Sequence, residues 1–134
     1  MKKPIDQFNV QVATIAHLGF AEELCGLYEE SAKKRGTGIA KRDPAYIQEK
    51  IVQEKAIIAT NANNELAGFC YIETWEGKNY VANSGLIVKE EFRKHGLAKK
   101  IKKFVLEYTR RKYPQAKIFG ITTSLAVMKL NSDL

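Results

Sequence analysis

The chain has 134 residues, 45% of them hydrophobic and 28% charged, a balance that fits a single soluble globular domain over residues 1–134 and excludes a disordered chain. No apolar run approaches the ~20 residues needed to cross a bilayer. The basic start, Met1-Lys2-Lys3-Pro4, leads into no apolar stretch of the kind a secretory signal needs. The two cysteines, Cys25 and Cys70, sit among apolar neighbours and read as reduced, buried thiols of a cytoplasmic protein; with only two histidines beside them, a zinc site is not expected. The net charge is +7, and its place matters more than its size. Residues 93–112 hold nine lysines and arginines against one acid, Glu107, a net of +8 that leaves −1 for the remainder. One basic element on a near-neutral chain calls for an anionic partner: a phosphorylated cofactor, a nucleic acid or an acidic protein.

Residues 8–14 alternate polar and apolar with period 2 and read as a strand. Phe20, Leu24, Leu27 and Tyr28 fall at helical spacing and mark a helix over residues 20–34, which Gly36 and Gly38 end. Asp43-Pro44 is a helix start, with Asp as N-cap and Pro in the first turn; that helix runs to about Gln53 with Tyr46, Ile47 and Ile51 on one face. Residues 56–60, 65–75 and 80–88 read as three consecutive strands, joined by turns at 61–64 and 76–79. A long helix spans residues 96–112 on an apolar stripe of Leu97, Ile101, Phe104, Val105 and Tyr108, and Pro114 ends it. Residues 117–123 form a strand that the crossover helix places parallel to 80–88, and residues 125–134 begin a last helix. The order β-α-α-β-β-β-α-β-α implies an α/β fold with a mixed, mostly antiparallel sheet and helices on both faces.

The junction between strand 80–88 and the basic helix carries the chemistry. A helix N-terminus exposes backbone N–H groups with no partner inside the helix, and the aligned peptide dipoles place about half a positive charge there. Gly96 lets a ligand approach the backbone, Ala98 is small, and Arg93 and Lys94 add permanent charge. Together these make a pyrophosphate cradle.

Arg93-Lys94-His95-Gly96-Leu97-Ala98 resembles the (Arg/Gln)-x-x-Gly-x-(Gly/Ala) motif of the GNAT acetyltransferase superfamily, and the resemblance covers nearly the whole chain in that family's element order. It implies an N-acetyltransferase that uses acetyl-CoA as donor and transfers the acetyl group by direct attack to the amine of a small molecule, an amino acid among the options. It also implies that the pyrophosphate is held by residues Arg93, Lys94, His95, Gly96, Leu97, Ala98 and Lys99. The pantetheine would run along strand 84–88, where the amides of Leu86, Ile87 and Val88 hold it and polarise the acetyl carbonyl. Two departures from the family pattern stand out. The family's last helix carries a Tyr that protonates the leaving thiolate, and Asn131 occupies that position here, with Leu125 at the family's Asn. The family also continues into two further strands that this sequence lacks, so the fold is expected to be C-terminally truncated, with strand 117–123 an open edge through which a homodimer could form.

An amine must lose its proton to attack, and at neutral pH about one alkylamine in a thousand is neutral, so a base is needed. Glu73 is the leading candidate, the one acid in an apolar and aromatic strand, between Tyr71 and Trp75 on its face. Glu90 and Glu91 read as solvated loop charges, His95 as exposed in the cradle, His17 as a plain loop residue, Tyr108 as core and Phe92 as packing; Asn83 and Ser84 could orient substrate or water. Arg35, Lys41 and Arg42 could attract an acceptor's carboxylate. Two other readings stay open: a non-catalytic relic that binds CoA or dimerises, and a basic nucleic-acid-binding module. Against the second, no aromatics interleave the basic residues, and the helix lysines lie on its polar face.

Overall fold

The computed structural model describes residues 7–35, 43–75, 79–93 and 96–120, the side chains of Arg35, Trp75, Phe119 and Gly120 excepted. The strands are β1 (Asn9–Val12), from an alternating stretch, then β2 (Ala56–Thr60), β3 (Leu66–Trp75), β4 (Tyr80–Val88) and β5 (Lys117–Gly120), from largely apolar runs. They lie side by side in chain order in one five-stranded sheet. β1 to β4 run antiparallel to one another, and β5 returns parallel to β4 after the crossover helix, as expected. The expected last helix, 125–134, and residues 121–123 lie outside the described residues.

Helices pack on both faces. α1 (Ala21–Arg35) and α2 (Pro44–Val52) lie on one, burying Leu24, Tyr28, Ile47 and Ile51 against Ile58, Phe69, Tyr71 and Ile87. α3 (Leu97–Lys112) lies on the other, burying Leu97, Ile101 and Val105 against Ile57, Cys70, Ile72, Val81 and Val88. The Asp43 side chain caps α2, accepting from the Ala45 amide at 2.9 Å. A 3-10 segment, Ile15–Phe20, precedes α1, and His17 is no idle loop residue there: Thr14 and His17 form its capping box. Cys70 is buried, whereas Cys25 is half-buried. Phe104 and Tyr108 are also half-buried, and Tyr108 Oη donates to the Glu54 carbonyl at 2.7 Å.

The sheet has two register shifts, one between β2 and β3 at Ala59/Thr60 and one between β3 and β4. β4 pairs with β3 in register up to Ser84↔Tyr71, then resumes at Ile87↔Phe69, so β4 carries one residue more than β3 across that stretch. Gly85 takes a φ of +67, in the left-handed region that glycine enters without strain. The side-chain alternation changes phase there too: Val81 and Asn83 face α3 before the bulge, Leu86 and Val88 after it.

Candidate active site at the bulged strand and the first turn of the basic helix

Among the described residues, the basic helix starts without a side-chain cap. Gly96 is the N-cap of α3 at a φ of 75, and no acid lies in the first turn. A Cβ at Gly96 would meet nothing within 4 Å among the described residues. Lys99 and Lys100 stand near the same positive end, an arrangement unfavourable to the helix alone and favourable to a bound anion. Arg93 is exposed, and its Nε donates to the Val88 carbonyl at 2.9 Å, tying the cradle to the end of β4. Lys94 and His95 lie outside the described residues.

The described residues of β5 pair with β4 from Tyr80 to Asn83. Beyond Asn83, residues 84–88 have β3 on one side and, among the described residues, no strand on the other. Leu86, Ile87 and Val88 fall in this stretch. A small cleft opens beside it, lined by Leu27, Glu30, Ser31 and Lys34 of α1 together with Ile87, Glu90 and Arg93, two acids and two bases. Glu90 is not a free loop charge: Lys34 ion-pairs with it and holds its carboxyl below the usual carboxylate range. Asn83 is buried and accepts from Thr109 Oγ1 at 3.2 Å, so it binds the interior, whereas Ser84 is half-buried and accepts at its backbone carbonyl from the Cys70 thiol at 3.3 Å.

Glu73 sits in a network on the α1/α2 face. Lys50 Nζ lies 2.6 Å from Glu73 Oε1 and donates to the Ile72 carbonyl at 3.0 Å; Tyr46 Oη donates to Glu73 Oε2. The Lys50 ammonium lies over the rings of Tyr46 and Tyr71, and those rings meet edge to face at 5.7 Å. Lys50 shares the apolar face of α2 with Ile47 and Ile51, a placement in the sequence that signals a buried partner. Tyr71 connects this network to the bulge, because its ring fills the place where a Cβ on Gly85 would stand.

The profile of the acetyltransferase (GNAT) family matches residues 21–129. The chain belongs to the GNAT acetyltransferase family. Solved GNAT structures share its fold at low identity. An acetyltransferase of the GNAT family from Staphylococcus aureus Mu50 aligns over 94% of this chain and 82% of its own, at 16% identity and a TM-score of 0.72. A mosquito arylalkylamine N-acetyltransferase-like protein aligns over 94% and 81%, at 14% identity and a TM-score of 0.76. N-acetylglutamate synthase from Neisseria gonorrhoeae, complexed with coenzyme A and N-acetyl-glutamate, aligns over 93% of this chain and 27% of its own, at 14% identity and a TM-score of 0.72. No curated protein matches the sequence.

The GNAT domain also buries two groups on the α3 face that sequence reading placed differently or left inert. Lys102, expected on the polar side of the helix, is 4% exposed with no hydrogen-bond or ion-pair partner among the described residues, and desolvation lowers its pKa. Cys70 is fully buried, and burial pushes its thiol from 9.0 up to about 12. The folded protein therefore keeps the Cys70 proton after the unfolded chain has lost it. The thiol's contribution is present in full below pH 9.0 and is lost as pH rises toward about 12. Lys102 works in the opposite sense: the unfolded chain holds its proton up to 10.5, the folded one releases it earlier, and stability rises with pH in the window just below 10.5. Urea unfolding at several alkaline pH values, wild type against Cys70→Ala, isolates the thiol. The wild type is expected to lose about 1.4 kcal/mol per pH unit relative to the variant above the free thiol's range. Parallel curves would show that Cys70 is open to solvent.

Proposed function

We propose that this chain binds acetyl-CoA across the first turn of α3 and the bulged half of β4, and transfers the acetyl group to the amine of a small molecule. One observation carries the reading: Gly96, at a φ of 75, opens α3 with no side-chain cap among the described residues and no acid in its first turn, just after the bulged strand segment 84–88. In this reading residues 93–99 take the pyrophosphate, and the amides of Leu86, Ile87 and Val88 take the pantetheine and the acetyl carbonyl. Membership of the family, and the coenzyme A carried by the gonococcal enzyme on the same fold, support it.

The amine nitrogen attacks the thioester carbon, a C–N bond forms, the C–S bond breaks, the nitrogen gives up a proton and the thiolate takes one. Glu73 is the proposed base. Two donors already bind its oxygens, but a carboxylate has about four lone-pair sites, so it can still accept a proton from substrate or from a bridging water. Asn131, at the position where the family resemblance places the acid, lies outside the described residues; its amide has no acidic proton, and the thiolate takes its proton from water.

Calorimetric titration with acetyl-CoA tests the binding, run beside titration with duplex DNA at low and high salt. Micromolar acetyl-CoA binding is expected, followed by acetylation of at least one amine in a screened panel. Glu73→Gln is expected to lower kcat by about 10²-fold or more while leaving the acetyl-CoA affinity in place. Salt-sensitive DNA binding without CoA binding would sink the proposal in favour of the exposed basic face of α3, where Lys99, Lys103, Arg110 and Arg111 stand. Cofactor binding with no amine acetylated would leave a non-catalytic relic.

A further inference from the structure

Helix α1 is fastened to the second half of β4 and the residues after it at three points, and the middle one falls on the bulge. Glu23 ion-pairs with Lys89, Lys34 ion-pairs with Glu90, and between them the Tyr28 hydroxyl donates to the carbonyl oxygen of Gly85. The outer two involve exposed or half-exposed carboxylates, and such pairs contribute little. Tyr28 is 4% exposed, so its bond is made where water does not compete.

The direction of that bond has a consequence on the far side of the strand. A trans peptide points its C=O and its N–H to opposite sides, and no described peptide is cis. With the Gly85 carbonyl turned toward α1, the Leu86 N–H is turned away from α1. Neither Gly85 nor Leu86 has a register partner on β3, and among the described residues β5 pairs with β4 as far as Asn83. The regular β3–β4 register is thus interrupted at this peptide. Tyr28 holds it from one side, and the Tyr71 ring packs against Gly85 where a Cβ would be.

We propose that Tyr28 is a positioning residue for acetyl transfer: by holding the Gly85 carbonyl, it aims the Leu86 N–H at the thioester carbonyl. The proposal rests on the acetyl-CoA reading above. As the amine attacks, negative charge gathers on the acetyl oxygen, and a donor already fixed in place stabilises that charge without reorganising. Without the Tyr28 hydroxyl the peptide is free to turn, and the N–H loses its aim while the pyrophosphate cradle, at the other end of the strand, is untouched.

The experiment follows the Leu86 amide by NMR in the full chain, titrated with acetyl-CoA and with CoA, and follows thiol release from acetyl-CoA as the rate. In the wild type the Leu86 amide is expected to shift more with acetyl-CoA than with CoA. In Tyr28→Phe that difference should vanish and the rate should fall about tenfold, short of the 10²–10³-fold lost when an oxyanion donor is removed outright, with CoA affinity unchanged. 4-Aminophenylalanine placed at Tyr28 keeps a donor of similar reach and should restore both signals. An unchanged Leu86 response and rate in Tyr28→Phe would overturn the proposal. If Tyr28→Phe does not fold, the wild type decides alone, and equal Leu86 shifts with acetyl-CoA and CoA overturn it. Absence of any acetyl-CoA binding in the wild type is a separate result, which removes the cofactor reading itself.

Discussion

Gly85→Val is expected to destabilise the protein by about 3 kcal/mol or more and to abolish acetyl-CoA binding in whatever folded fraction remains. Two effects add. Residue 85 has a φ of +67, where a β-branched side chain is a true outlier. A Cβ there would stand 2.2 Å from Cε1 of Tyr71, well inside contact distance. Tyr71 cannot step aside easily, because the Tyr46 ring meets it edge-on and the Lys50 ammonium lies over it. Either the ring moves and opens the Glu73 network, or the bulge straightens and the 84–88 segment changes its aim. Urea unfolding measures the first cost and calorimetry with acetyl-CoA the second. A variant as stable as the wild type would mean that the bulge is not where it is placed here. Gly85→Ala with Tyr71→Leu should recover part of the loss, since the smaller side chain removes the clash and leaves only the backbone strain.

Gly96→Asp is expected to behave in the opposite manner, sparing the fold and removing the ligand. A Cβ at Gly96 would meet nothing within 4 Å among the described residues, so the substitution is expected to leave the packing in place. The left-handed backbone, φ 75, costs an aspartate about 1 kcal/mol, and its charge beside the positive end of α3 offsets part of that. The same carboxylate occupies the space a pyrophosphate would take and repels it. Losing two charge-assisted contacts at ~1.5–3 kcal/mol each predicts a drop in acetyl-CoA affinity of about 100-fold or more. Thermal melting and calorimetry on one preparation give both answers. Gly96→Ala adds the backbone strain without the charge and should retain most of the affinity. Equal losses in the two variants would assign the effect to strain and not to the cradle.

The parts of this fold that depend on local pattern were legible in the sequence. Asp43-Pro44 starts α2 where the cap chemistry says, the apolar run 56–60 and the stretch 80–88 give β2 and β4 with their observed bounds, and Gly96 stands at the head of α3. The strand-to-helix junction was legible for the same reason, since its elements follow one another along the chain. What escaped was what tertiary packing decides. The single glycine within Tyr80–Val88 was a signal for a bulge, yet only the pairing with β3 shows that the strand changes phase there. Tyr28 belongs to a helical stripe that reads as core, and its hydroxyl finds Gly85 only once α1 is laid across the sheet. Lys102 lies on the charged side of the helix by periodicity, and the structure buries it. Glu73 was legible as an isolated acid on its strand, but Lys50 and Tyr46, its partners, come from a helix more than 20 residues earlier.

The extra residue in β4 can be read as a spacer between two correct half-strands. Before it, Val81 and Asn83 face α3; after it, Leu86 and Val88 do. Remove that one residue and every odd position from 81 onward would face α3 without a break, with no apolar side chain sent to the wrong layer. The strand would then be ready to pair along its full length, as an ordinary sheet does. The sequence around Gly85 thus encodes a smooth sheet with one residue inserted to spoil it. At that inserted residue the Gly85 carbonyl accepts from a side chain of α1, so the break in the strand's pattern is also where helix and sheet are joined.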